Sequence, residues 1–165
     1  MKGLVLDTSV LYYGKDLPLD RELIITPGVV RELTKEGMSS RLELLLATRV
    51  RVASPSRKSL EKVRTAAERT GDSRRLSETD VELLGLALEL DYELISDDYS
   101  IQNVAQSMGI HTRGMEQKGI REVFEWDSKC RGCGKVLPAD VKECPVCGSE
   151  TKSHRKRGRP PRASP

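Results

Sequence analysis

Short apolar segments alternate with helical ones along most of this chain, and that alternation limits the fold more than any other feature. Residues 2–6 (KGLVL), 22–26 (ELIIT), 49–53 (RVRVA), 93–96 (ELIS) and 110–112 (IHT) read as strands. Between them, Thr26 and Pro27 give an N-cap and a proline for a helix whose buried face carries Val29, Val30 and Leu33. Residues 41–48 and 56–69 read as helices, and 70–77 as a loop. Ser77 and Asp80 have the spacing of a capping box ahead of the stripe Val81, Leu84, Ala87, Leu88. Residues 99–108 read as a helix that Gly109 ends. Strands alternating with helices predict an α/β domain with a parallel sheet and right-handed crossovers. The pattern fades at Arg113–Gly119. The expected layout is therefore a domain over 1–113, a linker over 114–119, a cysteine module over 120–151 entered by a strand at 120–127, and a basic flexible tail over 152–165.

No apolar run approaches the roughly 18 residues of a membrane span. The opening MKGLVLDTS does not read as a signal peptide, because an acid interrupts its apolar stretch, so the expected compartment is the cytoplasm. The net charge of +3 hides an asymmetry: residues 128–165 hold 10 of the 28 Lys and Arg but only 3 of the 25 Asp and Glu. A mildly acidic body with a strongly basic end points to a polyanionic partner for the end and another use for the acids.

Those acids recur at one kind of place. Asp7 ends the first strand, Glu32 lies in the first turns of the helix after the second, Asp80 opens the Leu-rich helix, and Asp97 and Asp98 follow ELIS. In a wound parallel sheet these positions share the carboxyl edge, where such folds bind ligands. Carboxylates gathered within about 4–6 Å raise one another's pKa values. Mg²⁺ or Mn²⁺, which take hard oxygen ligands, would remove that repulsion. An ion held there polarises a phosphodiester, activates a water and stabilises the leaving 3′ oxygen. Each acid alone has a plain reading: Asp80 as a helix cap, Glu32 as a solvated charge, Asp97–Asp98 as a turn. The joint pattern carries the functional one. His111, the domain's sole histidine, reads as an ordinary strand-end residue. A receiver-type signalling domain would need paired acids after the first strand, where Asp7 stands alone.

All four cysteines lie in two CxxCG knuckles, Cys130/Cys133 and Cys144/Cys147. Four thiolates brought to one point are the ligand set of a structural Zn²⁺, expected here as a single ion, although iron accepts the same geometry. Disulfides or a redox pair are the plain alternatives. The basic segment Lys152, Arg155, Lys156, Arg157 and Arg159 reads as a phosphate-contacting tail. Arg69, Arg74 and Arg75 precede Asp80, where they either meet RNA near the metal or line a solvated loop.

The segments VLDTS, VVRELTKEG, LSETDVELLGLALEL and LISDDYSIQNVA, in that order, resemble the motifs of PIN-domain ribonucleases. The resemblance covers about the first 110 residues and implies a PIN-like sheet. It implies that Asp7, Glu32, Asp80 and Asp98 bind Mg²⁺ or Mn²⁺, with Asp97 as a second candidate. It also places the hydroxyls of Thr8 and Ser9 near the ion. With a zinc ribbon behind it, the whole chain resembles the archaeal form of the ribosome-assembly endonucleases that make the 3′ end of small-subunit rRNA. That resemblance implies cleavage of pre-rRNA to 3′-hydroxyl and 5′-phosphate products, RNA and other ribosome-assembly proteins as partners, and no membrane. A PIN-type toxin ribonuclease shares the acids but usually lacks the ribbon. A non-catalytic RNA-binding scaffold would lack some of the acids.

Overall fold

Strand β1 (Gly3–Leu6) is buried along its whole length, as a strand without polar alternation must be when both faces of its sheet are covered. The computed structural model describes residues 3–13, 17–18, 20–115 and 123–156. Helix α1 (Thr8–Tyr13) follows, then β2 (Glu22–Ile25), α2 (Pro27–Glu36), α3 (Ser40–Thr48), β3 (Val50–Val52), α4 (Arg57–Thr70), α5 (Glu78–Leu90), β4 (Glu93–Ile95), α6 (Tyr99–Met108) and β5 (Thr112–Arg113). The expected local signals are used. Thr26 Oγ1 accepts from Val29 N at the start of α2, and Ser77 and Asp80 close a reciprocal capping box on α5. Gly109 ends α6 in the left-handed conformation.

The five strands form one parallel sheet in the order β3-β2-β1-β4-β5. The chain winds outward from β1 to β3, then returns to set β4 against the other side of β1. That reversal is a topological switch point, and the carboxyl ends of β1 and β4 flank its crevice. Leu4, Val5, Leu6, Ile24, Ile25, Leu83, Leu84, Leu94 and Ile95 form the centre of the core. No helix among the described residues is long and apolar enough to cross a membrane.

A second, antiparallel sheet of order β7-β6-β8 follows, from β6 (Trp126–Cys130), β7 (Val136–Leu137) and β8 (Thr151–Arg155). It departs from the sequence expectation twice. The strand expected at 120–127 begins only at Trp126; Val123 is buried, and Phe124 bonds to the side chain of Asn103 in the α/β domain. Residues 120–122 lie outside the described ones. The expected tail also starts too early, because Lys152–Arg155 pair with β6 in a five-residue ladder from Trp126↔Arg155 to Cys130↔Thr151. A strand in so small a sheet takes its stability from backbone pairing and the adjoining cysteine site, so it needs no apolar alternation. Helix α1 and strand β7 had no counterpart in the sequence reading.

Ile24 is fully buried and pairs beside Val5. Ile24→Ala is expected to lower the unfolding free energy of the α/β domain by roughly 2–5 kcal/mol. Urea titration followed by far-UV circular dichroism measures this; a loss under about 1 kcal/mol would show that the sheet centre is not packed as described.

Candidate active site and metal centre

Asp7, Asp80 and Asp98 lie close enough around the β1/β4 switch point to feel one another's charge, and Glu32 is joined to them through Thr8. Asp7 directly follows β1, and its amide donates to Ile95 O at 3.1 Å, so the two strand ends are stitched together. Its Oδ1 accepts from Thr8 N at 2.6 Å; its Oδ2 accepts from Ser96 Oγ at 2.7 Å and Ser9 Oγ at 3.3 Å. Ser96 is fully buried and also accepts from Asp98 N at 3.1 Å, so a single hydroxyl couples the two acids. Asp98 caps α6, with Oδ1 accepting from Ser100 N and Ile101 N. Glu32 joins from α2, where Thr8 Oγ1 donates to its Oε2 at 2.6 Å. Asp80 joins from α5, held through Oδ2 by Ser77 N at 2.7 Å.

The electrostatics agree with this geometry. Burial pushes the carboxyl of Asp7 above its ordinary range, and the charge of Asp98 adds to the rise. Burial likewise pushes Asp80 up to about 6 against the opposing hydrogen bonds of Ser77, with Asp7 and Asp98 contributing. These are like charges brought together and partly desolvated, the condition a divalent cation relieves. The donor set consists of carboxylate oxygens backed by hydroxyls, which suits Mg²⁺ or Mn²⁺ and not a soft metal. Asp7, Asp80 and Asp98, with Glu32 tied to them through Thr8, are the candidates to hold such an ion, although their oxygens do not gather as closely as the cysteine sulfurs do.

The adjacent pair separates clearly. Asp98 contributes charge to Asp7 and Asp80, whereas Asp97 turns away and accepts from Met115 N at 2.9 Å. Thr8 and Ser9 lie on α1, the Thr8 hydroxyl donating to Glu32 and the Ser9 hydroxyl to Asp7. Ser96 was not singled out from the sequence, although a hydroxyl closing a strand before two acids is a usable signal. Glu82 was missed as well. Its Oε2 accepts from Gly28 N at 2.8 Å and its Oε1 from Arg31 at 3.1 Å, fixing the start of α2, and so Glu32, against α5. A glutamate on a polar helix face carries no local mark of that role.

The acids line an open edge. A cavity of about 480 Å³ lies elsewhere, among Lys62, Arg69, Leu88, Met108, Val123 and Glu125 near the far ends of α5 and α6. Arg69 thus lines that cavity. Arg74 and Arg75 do not reach toward the acids as the RNA reading expected: Arg74 pairs with Asp140 at 3.0 Å, and the Arg75 guanidinium stacks 3.6 Å from the Trp126 ring centre. Both hold the ribbon because their loop faces β6. Lys152 is exposed, Arg155 lies over Phe124, and Lys156 pairs with Asp127. Arg157 and Arg159 lie outside the described residues.

The four cysteine sulfurs lie within 4.8 Å of one another, with Cys130–Cys147 at 3.4 Å and Cys133–Cys144 at 3.7 Å. A disulfide needs about 2.05 Å. A tetrahedron with metal–sulfur bonds of about 2.3 Å has edges near 3.8 Å, so the cluster fits one structural Zn²⁺. Gly132 N and Cys133 N point at Cys130 Sγ, and Gly134 and Gly148 take the positive φ that closes each knuckle. The Ser149 hydroxyl and amide bring Cys147 down to about 6, and the Val146 and Cys147 amides lower Cys144. Cys133 is raised to about 11 despite the Lys135 amide, because it shares protons with Cys130 and Cys147. Without a cation, four thiols cannot all ionise at such separations.

Two outcomes are expected. Asp80 is ionised in both folded and unfolded chains above about pH 6, and there the burden on its charged folded form is fully present; it is relieved as pH falls below 6 toward the unfolded value of 3.8. Asp80→Asn should therefore raise the melting temperature at pH 7.5 in buffer free of Mg²⁺ and Mn²⁺, with a gain that shrinks at pH 5. An equal gain at both pH values would contradict the assignment. Stripping metal from the cysteines should unfold the ribbon and shift the emission of Trp126, the sole tryptophan, to the red. Unchanged emission with four reactive thiols would rule out a metal-held ribbon.

Comparison with known proteins gives the family. Residues 4–90 match the family described as PIN domain of ribonuclease. The Endoribonuclease Nob1 of Pyrococcus abyssi is 42% identical over 154 residues, covering 90% of this chain and 91% of that protein. The Endoribonuclease Nob1 of Archaeoglobus fulgidus is 39% identical over 151 residues, covering 88% and 87%. The Ribonuclease VapC1 of Thermoplasma acidophilum is 38% identical over 150 residues, covering 91% of this chain and 77% of that protein. With the matched family spanning more than half its length and its acids converging at the β1/β4 edge, this chain belongs to the PIN-domain ribonucleases.

Proposed function

We propose that this chain is a divalent-metal-dependent endoribonuclease that cuts pre-rRNA at the 3′ end of small-subunit rRNA during ribosome assembly in the cytoplasm. The observation that carries the reading is the pairing, in one chain, of the Asp7–Glu32–Asp80–Asp98 rim with a four-cysteine ribbon. Relatives named Endoribonuclease Nob1 align with both parts over about nine-tenths of this chain. Relatives named Ribonuclease VapC1 and VapC3 give a toxin-type ribonuclease weaker support, being two against four that carry the Nob1 name.

The rim's own residues divide the work. Asp7, held on both oxygens by Thr8 N, Ser96 and Ser9, is the most rigid ligand. Asp98 commits Oδ1 to the α6 amides and Asp80 commits Oδ2 to Ser77, so each has one oxygen to offer toward the ion. Thr8 orients Glu32 in the same way. Bound Mg²⁺ or Mn²⁺ would supply water activation and charge stabilisation at the phosphate. The open edge suits a polymer that passes across the surface, with hydrolysis leaving 3′-hydroxyl and 5′-phosphate ends. Basic residues of the ribbon, Lys152 and Arg155 among them, and the segment holding Arg157 and Arg159 contact the phosphates of nearby rRNA.

Asp7→Asn is expected to reduce cleavage of an rRNA 3′-end precursor fragment by more than the roughly 10–100-fold that losing a ligand's hydrogen-bonding partner costs. The reaction should require added Mg²⁺ or Mn²⁺, and RNA binding in gel-shift assays should persist. Full activity in the variant would remove the acidic rim from the reaction. Equal cutting of unrelated structured RNAs by the parent would favour the toxin-type reading.

A further inference from the structure

Outside the acidic rim, buried polar groups gather at the seam between the α/β domain and the ribbon. Asp72 is fully buried and Asn103 is 2% exposed. Asn103 Nδ2 donates to Asp72 Oδ2 at 2.6 Å and to Phe124 O at 2.8 Å, while its Oδ1 accepts from Phe124 N at 2.6 Å. One side-chain amide thus grips both backbone groups of the residue just ahead of the ribbon, as a neighbouring strand would.

The loop that supplies Asp72 makes the other contacts. Arg75 covers Trp126 and donates to Ser153 Oγ at 2.9 Å, and Arg74 reaches Asp140. Gly71 sits against the Trp126 carbonyl so closely that an added Cβ would collide with it. Asp72 O then accepts from Arg75 N and Leu76 N, a turn that delivers the chain to Ser77, whose amide holds Asp80. Residues 71–77 therefore carry the ribbon at one end and an acid of the rim at the other.

A ribbon tethered only by a linker needs none of this. Beyond Asn103, Asp72 is supported among the described residues by the Thr70 side chain and by Arg75, which is 3.8 Å from its Oδ1. A carboxylate buried so deeply is unfavourable in itself, which points to a role in placement.

We propose that Asn103 is a positioning residue for RNA cleavage: by clamping Phe124 to Asp72 it fixes the ribbon at one separation and orientation from the acidic rim. The proposal rests on the reading that the ribbon grips RNA while the rim cuts it. Two contacts on one polymer reinforce each other only when their spacing matches the span between them. A clamped ribbon presents the cleavage site in register; a swinging one spreads it over many positions.

Two variants of the full, zinc-loaded chain attack the clamp from opposite sides. Asn103→Ala removes the grip on Phe124, and Gly71→Ala pushes against Trp126 while leaving the buried amide in place. ¹⁵N relaxation should report one shared tumbling time for both modules in the parent and two distinct times in each variant. On a long rRNA 3′-end precursor that reaches the ribbon, kcat/KM should fall about 10-fold or more, a part of the roughly 10²–10⁴ that linked contacts can contribute. On a short oligonucleotide covering only the cleavage site, the variants should match the parent. Shared tumbling in both variants would overturn the clamp. Separate tumbling with unchanged cleavage of the long RNA, or equal loss on both RNAs, would overturn the positioning role. A parent that cuts neither RNA would overturn the functional reading and the positioning role with it, while its tumbling would still decide whether the modules move as one.

Discussion

The Ser96 hydroxyl is the interaction on which the site depends. It donates to Asp7 and accepts from the amide of Asp98, so it holds two negative groups from neighbouring strands at a distance they would not choose. Its position follows from the topology. β1 and β4 are adjacent although Asp7 and Ser96 lie far apart in sequence, and the amide of Asp7 bonds to the last residue of β4. Burial of Asp7 then amplifies the repulsion, while Asp98 itself remains exposed. A buried hydroxyl shared by two acids has little structural advantage over an apolar residue, so the rim reads as a place where stability yields to chemistry.

The two modules are stabilised by different physics. The α/β domain has a continuous apolar core running through both faces of its sheet. The ribbon has a core of only Cys130, Leu137 and Cys144 with Val141 against it, too little apolar surface to hold three short strands. Its order comes from the sulfur cluster at one end and from the docked loop at the other. The weak module thereby borrows rigidity from the strong one, while its outer strand remains free to present basic side chains.

Legibility in the sequence followed the range of each interaction. The caps at Thr26 and Ser77 and the end at Gly109 are local, and their residues announce them. The rim could be proposed because parallel topology sends every strand end to one edge, which groups Asp7, Glu32, Asp80 and the Asp97–Asp98 pair without contact information. Asp97 and Asp98 were not separable beforehand, since only the turn into α6 decides which carboxylate caps the helix and which bonds to Met115. Strand β8 was missed because its ladder uses backbone groups and its side chains are polar. Arg74 and Arg75 were read for charge alone, whereas a facing tryptophan and aspartate decided their roles. Asn103 had no signature: its partners are 31 residues behind it and 21 ahead, and an asparagine inside a helix usually means nothing.

Each acid of the rim is fastened to its own chain by at least one oxygen: Asp7 to Thr8, Glu32 to Thr8, Asp80 to Ser77 and Asp98 to the α6 amides. Each carboxylate is thus oriented by protein hydrogen bonds. A rim so framed would need little rearrangement to receive a divalent cation. Turnover by such an enzyme would then follow the free divalent concentration around it, making the ionic state of the cell a throttle on how fast the RNA is trimmed.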